Sequence, residues 1–227
     1  MSRHPRIVLP GVPLHIIQRG NNRNVCFFCK ADYQAYLSLL AVFSRSCACP
    51  IHAYVLMTNH VHILVTPECE ASAADLMKNV GQNYVQYINR RHDRFGTLWQ
   101  GRFRSCVVDE ENYFLVCQRY IELNPVRACL TTHPVDYPWS SYRANAHGEA
   151  DPVVRPHIAY RAISHDKKER EASYRELVAQ AIPQTLLKEV RNATNRNTVL
   201  GSPAFSDSLE TVIGRSLSAQ RPGRRTS

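Results

Sequence analysis

Two six-residue runs, His52 to Met57 and His60 to Val65, are separated only by Thr58-Asn59, and no other feature constrains the fold of this chain so tightly. A two-residue connection joins only antiparallel neighbours, so the runs pair as a hairpin, although Thr-Asn is a weaker turn signal than Asn-Gly. Side chains of a strand alternate between its faces. Val61, Ile63 and Val65 therefore fall on one side of the second run, and His60, His62 and Leu64 on the other. The aliphatic set suits burial beneath helices. The two imidazoles then share the opposite face, about 7 Å apart along the backbone, and can converge on one divalent ion.

Elements of clear period surround the hairpin. Leu14 to Gln18 is an apolar run ending in the turn cluster Arg19-Gly20-Asn21-Asn22, which reads as a strand leaving into a loop. Asp32 is placed to cap a helix whose stripe is Tyr33, Tyr36, Leu37, Leu40 and Phe43. Ala71 to Arg91 reads as a second helix, its face marked by Leu76, Val80, Tyr84, Tyr87 or Ile88, and Arg91. Ser105 to Val108 is a short strand, and Asp109 caps a third helix that runs to Asn124, where Pro125 stops it. Strand, helix, hairpin, helix, strand, helix predicts an α+β fold: a ferredoxin-like antiparallel sheet with helices packed on one face and the other face left for function.

The third helix adds chemistry to the histidine pair. Tyr120 and Asn124 are four apart and share a helical face, so the Asn124 amide oxygen can complete a His-His-Asn metal site beside the Tyr120 hydroxyl. A phenol is a poor nucleophile without a cation nearby, and a metal that polarises a phosphodiester also neutralises its developing charge. Tyr113, two turns earlier, lies on nearly the same face and is a rival for that role; Asn124 reads equally well as a helix cap before Pro125.

Between these elements, the stretch from Lys78 to Arg104 sets Lys78, Arg90, Arg91, Arg94, Arg102 and Arg104 against Asp93 alone, interleaved with Tyr84, Tyr87, Phe95, Trp99 and Phe103. Guanidinium groups for phosphates with aromatic faces for unstacked bases suit a binder of single-stranded or hairpin DNA. The same residues also fit a solvated helix face over core aromatics. The whole chain, 227 residues with a formal charge of +9, carries enough basic excess to expect a polyanionic partner.

Met1 to Ile16 is basic and broken by Pro5, Pro10 and Pro13, unlike a secretory leader, and no apolar run is long enough to span a membrane. These features point to the cytoplasm, where the eight cysteines stay reduced. Cys26-Phe-Phe-Cys29 and Cys47-Ala-Cys49 resemble halves of a zinc site, but their spacing fits tetrahedral coordination poorly, and buried thiols are the better reading. Residues 1–147 are expected to form the catalytic-type domain and residues 148–219 a helical, basic C-terminal extension. Residues 220–227, with Arg221, Arg224 and Arg225, read as a disordered tail.

The motifs His15-Ile-Ile-Gln-Arg-Gly-Asn-Asn22, His52-Ala-Tyr-Val-Leu-Met57, Asn59-His-Val-His62, Gly96-Thr-Leu-Trp-Gln-Gly-Arg-Phe103, Arg119-Tyr-Ile-Glu-Leu-Asn-Pro-Val-Arg127 and Trp139-Ser-Ser-Tyr142 occur in consistent order. Together they resemble the REP-associated tyrosine transposases, single-tyrosine HUH transposases of bacterial insertion sequences. The resemblance spans about residues 13–143. It implies cleavage and joining of single-stranded DNA at hairpin repeats, dependent on Mg²⁺ or Mn²⁺ and passing through a 5′-phosphotyrosine. Tyr120 takes the nucleophile's position, His60 and His62 the metal-binding pair, and Asn124 the third ligand, where relatives often carry glutamine. Arg19, Asn21, Asn22, Arg90, Arg91, Trp99, Arg102, Phe103, Arg104 and Arg127 are the expected DNA contacts. The partners so implied are single-stranded DNA and DNA hairpins at the nucleoid, bound by a monomer or a homodimer. The rival reading is a domesticated, non-catalytic protein that binds palindromic repeats.

Overall fold

In the computed structural model, which describes residues 6–214, the hairpin forms as its spacing predicts. Strands β1 (Leu14–Arg19), β2 (Ile51–Met57), β3 (His60–Val65) and β4 (Arg104–Val108) make an antiparallel group in the order β2-β3-β1-β4. The register sets Ile17 and Val55 on either side of His62, and Arg19 and Met57 on either side of His60. Helices α1 (Lys30–Ser46) and α2 (Ser72–Arg91) cover one face of this sheet. Their buried residues Tyr36, Leu40, Leu76, Val80 and Tyr84 meet Ile16, Val61, Ile63 and Val65. Each such aliphatic side chain contributes about 1.5–3 kcal/mol by leaving water.

Helix α1 begins earlier than the sequence pattern suggests. Cys29 is its N-cap, and the Asp32 carboxylate reaches back to accept from the amides of Phe28 at 2.8 Å and Cys29 at 3.0 Å. Asp32 thus acts from the third helical position, as the acidic partner of a capping box does.

The opposite face of the sheet, expected to be open, is covered. Helix α3 (Glu110–Glu122) and helix α8 (Gln184–Arg196) pack there over Ala53, Val55, Leu64, Cys106 and Val108. In α8 the buried residues are Leu187, Val190, Ala193 and Thr194, one stripe at helical spacing, which needs an apolar surface to lie on. The sheet supplies it. The segment after α8 then adds β5 (Val199–Leu200) parallel to β4, so the C-terminal extension completes the sheet and makes it mixed. Helices α5 (Tyr142–His147), α6 (Ile158–Arg161) and α7 (Lys167–Ala179) form a smaller cluster around Tyr142, Tyr160 and Tyr174, and α9 (Pro203–Ile213) follows β5. The expectation for residues 220–227 lies outside the described residues.

Pro125 does not end the helical path outright. The chain breaks at Leu123 and restarts as the single turn α4 (Asn124–Arg127), with Pro125 near its start, where the missing amide is not needed. The turn folds Arg127 back beneath α3, and its guanidinium Nη2 donates to the Tyr120 carbonyl at 2.6 Å.

Two histidines far from this turn give the fold a pH signature. His52 lies between the Arg155 carbonyl at 2.7 Å and the Thr66 hydroxyl at 2.9 Å, and His157 stacks on Phe114 with ring centres 4.0 Å apart. Burial pushes both down to about 4, against about 6.5 in an unfolded chain. A histidine whose folded value is depressed contributes stability that is complete above pH 6.5 and lost as pH falls towards 4. Glu122, buried among Ser141, Asn145 and Tyr174 and pushed up to about 7 by that burial, acts in the opposite sense. The two histidines, joined by His15, His60 and His62, which burial depresses in the same sense, outweigh the one carboxyl. The melting temperature should fall by about 5 °C or more between pH 7 and pH 5. Circular dichroism melts check this, and a flat profile would show that these imidazoles gain protons without unfolding.

Candidate active site

At the end of the sheet where β1 finishes and β3 begins, a cavity of about 300 Å³ opens between the strands, α3, α4 and α8. His60 and His62 enter it from β3, Tyr120 from α3, Asn124 and Arg127 from α4, His15 and Arg19 from β1, and Arg191, Thr194 and Asn195 from α8. The alternation of the hairpin strand is as read from the sequence: Val61 and Ile63 lie in the α1–α2 core, while the histidines face the other way. The imidazole rings of His60 and His62 stand 5.1 Å apart at their centres, and the Tyr120 ring meets His62 edge-on at 5.8 Å.

Hydrogen bonds fix what each imidazole presents. The Asn59 side-chain amide donates to the Arg23 carbonyl at 3.0 Å, which leaves its oxygen facing His60 Nδ1 at 2.6 Å. Nδ1 therefore carries the proton, and Nε2 keeps its lone pair. His62 Nδ1 meets His15 Nε2 at 2.8 Å and so is also engaged, leaving Nε2 free. Burial keeps the imidazoles neutral: His60 is pushed down to about 4 and His15 to about 3, and His62 lies well below 6.5. Neutral nitrogens with free lone pairs are what a cation requires. The Asn124 side-chain nitrogen donates to the Tyr120 carbonyl at 3.2 Å, so its amide oxygen is left as a donor atom for the cavity. Two imidazoles and an amide oxygen form a donor set that can hold a divalent cation.

The charge around these neutral donors is all of one sign. Arg19, Arg127 and Arg191 line the cavity, and among the described residues no carboxylate does. Arg127 lies over the Tyr120 ring with its guanidinium carbon 4.2 Å from the ring centre, and burial lowers it to about 10, still a cation at neutral pH. Its Nη1 is buried without a hydrogen-bond partner among the described residues. An unsatisfied guanidinium donor beside a hydroxyl, in a cavity without acidic groups, is built for an anion.

Of the expected DNA contacts, Arg19 and Arg127 are in this cavity, and Arg102 and Arg104 line an adjoining recess with Arg19 and Gln100. Asn21 and Asn22 form the exposed turn after β1. Asn22 takes a left-handed backbone with φ of 51°, which asparagine tolerates, and the turn delivers the Arg23 carbonyl to Asn59. Arg90 and Arg91 end α2 in the other layer, where Arg91 pairs with Asp32 at 3.6 Å. Tyr113, the rival for Tyr120, points to Glu189 of α8 and does not line the cavity.

Trp99 and Phe103, expected from the sequence to face DNA, are instead buried. Trp99 is only 6% exposed and packs against Tyr36 and Tyr84, and the outer face of Phe103 is covered by the Arg6 guanidinium at 3.7 Å. Neither offers a free face for a base, because the loop holding them turns inward beneath α2. The aromatic that does project is Phe95, 90% exposed. Trp99→Ala should therefore cost about 3–5 kcal/mol and lower the melting temperature markedly, while Phe95→Ala leaves it unchanged. Equal melting curves for the two variants would contradict this placement.

The cysteines do not assemble as a zinc site. All eight are free thiols, and four of them, Cys26, Cys49, Cys106 and Cys117, are buried. Cys29 lies with Asp32 and His92, their donor atoms within 4.8 Å of one another, but that carboxylate is taken up by the α1 cap and by Arg91. His15, Asn59, Arg191 and Thr194 were not singled out for roles from the sequence. His15 and Asn59 stood inside recognised motifs, whereas nothing in the local sequence marks Thr194.

Residues 10–124 match the family of IS200-like transposases. No curated protein sequence matches the chain. Among solved structures, a REP-associated tyrosine transposase bound to a REP hairpin superposes with a TM-score of 0.56 at 19% identity, over 70% of this chain and 93% of its own. A Deinococcus radiodurans protein assigned as a transposase gives 0.37 at 19% identity, over 54% and 96%. A bacterial tRNA(His) guanylyltransferase-like protein in complex with GTP gives 0.39 at 14%, over 59% and 73%. The first of these shares the fold; the other two superpose too loosely to bear on it.

Proposed function

Because the chain belongs to the IS200-like transposases, we propose that it cleaves and rejoins single-stranded DNA beside a hairpin, with Tyr120 as nucleophile. The observation that carries this reading is the convergence of Tyr120, His60, His62 and Asn124 in one cavity ringed by Arg19, Arg127 and Arg191 and, among the described residues, free of carboxylates. The hairpin substrate is supported by the REP hairpin held by the structural neighbour. We place the activity at the nucleoid, in keeping with the absence of a membrane-spanning helix among the described residues.

The Tyr120 oxygen forms a bond to the scissile phosphorus as the bond from phosphorus to the 3′-oxygen breaks. The phenolic proton leaves to solvent, and the departing 3′-oxygen takes one up. A 5′-phosphotyrosine and a free 3′-hydroxyl result, with the phosphodiester energy retained for rejoining. His60, His62 and Asn124 would hold a divalent ion, which when bound would supply Lewis acidity to the phosphate. Arg127 and Arg19 bind and orient the phosphate oxygens, and their charge stabilises the pentacoordinate transition state. Arg102 and Arg104, continuous with Arg19, carry the adjacent backbone, and the exposed Phe95 offers a stacking face for an unpaired base.

The test is incubation of the full chain with an end-labelled oligonucleotide carrying a hairpin and a single-stranded flank, with Mn²⁺ and then with chelator. The expected result is a shortened strand on a denaturing gel together with a protein-linked band, both absent with chelator. An intact strand despite measurable binding would contradict the reading.

A further inference from the structure

Helix α8 reaches the cavity from a part of the chain to which the sequence motifs assign no role, and its Thr194 touches the histidine pair through one intermediary. Thr194 Oγ1 lies 2.9 Å from His15 Nδ1, and His15 Nε2 lies 2.8 Å from His62 Nδ1. The His15 and His62 rings are 18° from coplanar with centres 5.0 Å apart, so they meet edge to edge along a hydrogen bond. His15, His62 and Thr194 are 1%, 4% and 4% exposed, which leaves little room for water to rescue a misdirected proton.

The direction of this chain is decided at its far end. Thr194 Oγ1 lies 2.8 Å from the Val190 carbonyl, which only accepts, so the hydroxyl proton goes there. The hydroxyl oxygen then accepts from His15 Nδ1–H and, at 3.3 Å, from the Cys106 thiol. His15 Nε2 is left as an acceptor, so the proton between the rings sits on His62 Nδ1, and His62 Nε2 faces the cavity with its lone pair. Reversing the chain would turn the Thr194 proton towards His15, set the Thr194 and Val190 oxygens lone pair to lone pair, and leave His62 an N–H on the nitrogen not bonded to His15, in a cavity lined by Arg19 and Arg127. Every polar atom is satisfied in only one direction.

We propose that Thr194 and His15 are positioning residues that hold His62 in its Nδ1–H tautomer with Nε2 presented to the cavity, which makes the C-terminal helix part of the catalytic apparatus. This rests on the reading of His62 as a metal ligand. An imidazole ligand depends on the partner of its other nitrogen for both tautomer and orientation, and losing such a partner typically weakens metal binding about 10–100-fold. The second histidine is held by a separate device, Arg23 carbonyl to Asn59 to His60. The two halves of the pair are therefore set independently, one by the N-terminal turn and one by α8.

The test uses the full chain and does not depend on turnover. Long-range ¹H–¹⁵N spectra of the metal-free protein report the histidine tautomers, and Mn²⁺ titration followed by electron paramagnetic resonance reports affinity. Wild-type protein should show Nδ1–H at both His15 and His62. Thr194→Val, with a melting curve to confirm folding, should give mixed tautomers at both rings and bind Mn²⁺ about 10–100-fold more weakly, and Thr194→Ser should restore both signals. Thr194→Ala serves in place of valine if that variant does not fold. An Nε2–H tautomer at His62 in the wild type, an unchanged Mn²⁺ affinity in Thr194→Val, or no rescue by serine would overturn the proposal. A wild-type protein with the expected tautomers that takes up no Mn²⁺ would sink the metal reading while confirming the ordered proton chain.

Discussion

Replacing Tyr120 with phenylalanine is expected to abolish the protein–DNA adduct and to lower strand cleavage by about 10⁴-fold or more, the scale seen when a nucleophile is removed from an otherwise intact site. The ring's own contacts survive the change. Arg127 still lies over it, His15 and His62 still meet its edge, and the backbone carbonyl that receives Arg127 and Asn124 is untouched. DNA affinity and melting temperature should therefore stay close to wild type, since phosphate contacts dominate binding. Tyr113→Phe should cleave normally, because that hydroxyl is spent on Glu189 outside the cavity. A Tyr120→Phe variant that still forms the adduct would remove Tyr120 from its role.

Loss of either histidine should remove metal-dependent cleavage, by more than about 100-fold each, since that is the upper end of what an outer-sphere partner alone costs. The two variants should nevertheless differ in stability. His62→Ala leaves His15 Nε2 buried without its donor, a cost of about 1–3 kcal/mol. His60→Ala frees Asn59 at the more exposed rim and should melt near wild type. Asn124→Ala should be milder in activity than either, because water can occupy a weak oxygen-ligand position. Undiminished cleavage in both histidine variants would show that the pair is structural.

The histidine pair was legible because period-two alternation is local: six residues and a two-residue turn determine which side chains share a face. Helices α1 and α2 were legible for the same reason, their stripes being continuous over several turns. What the local pattern did not show is what lies opposite the histidines. The stripe of α8 is regular, but a stripe does not name the surface it packs on, and β5 is two residues whose strand character exists only through pairing with Val107 and Val108. The closed face, and with it Arg191, Thr194 and Asn195, followed from those tertiary choices.

Trp99 shows the opposite difficulty. An aromatic residue in a basic stretch reads equally as a base platform or as core, and only the inward path of the 97–103 loop separates the two. Asn59 was visible inside its motif, yet its role depends on the left-handed turn at Asn22 and Arg23 that brings a carbonyl to its amide. Pro125 signalled a break correctly in kind, but the restart as one further turn, which returns Arg127 to the Tyr120 carbonyl, depends on contacts that α3 makes elsewhere.

The most direct measurement is peptide mapping of the protein–DNA adduct. Full-length protein is incubated with Mn²⁺ and a hairpin-bearing oligonucleotide, digested with nuclease and protease, and the nucleotide-modified peptide is sequenced by mass spectrometry. The account predicts a single modified peptide in which Tyr120 carries the 5′-phosphate. Modification at Tyr113, or hairpin binding with no tyrosine modified at all, would contradict it, the latter in favour of a protein that holds palindromic repeats without cutting them.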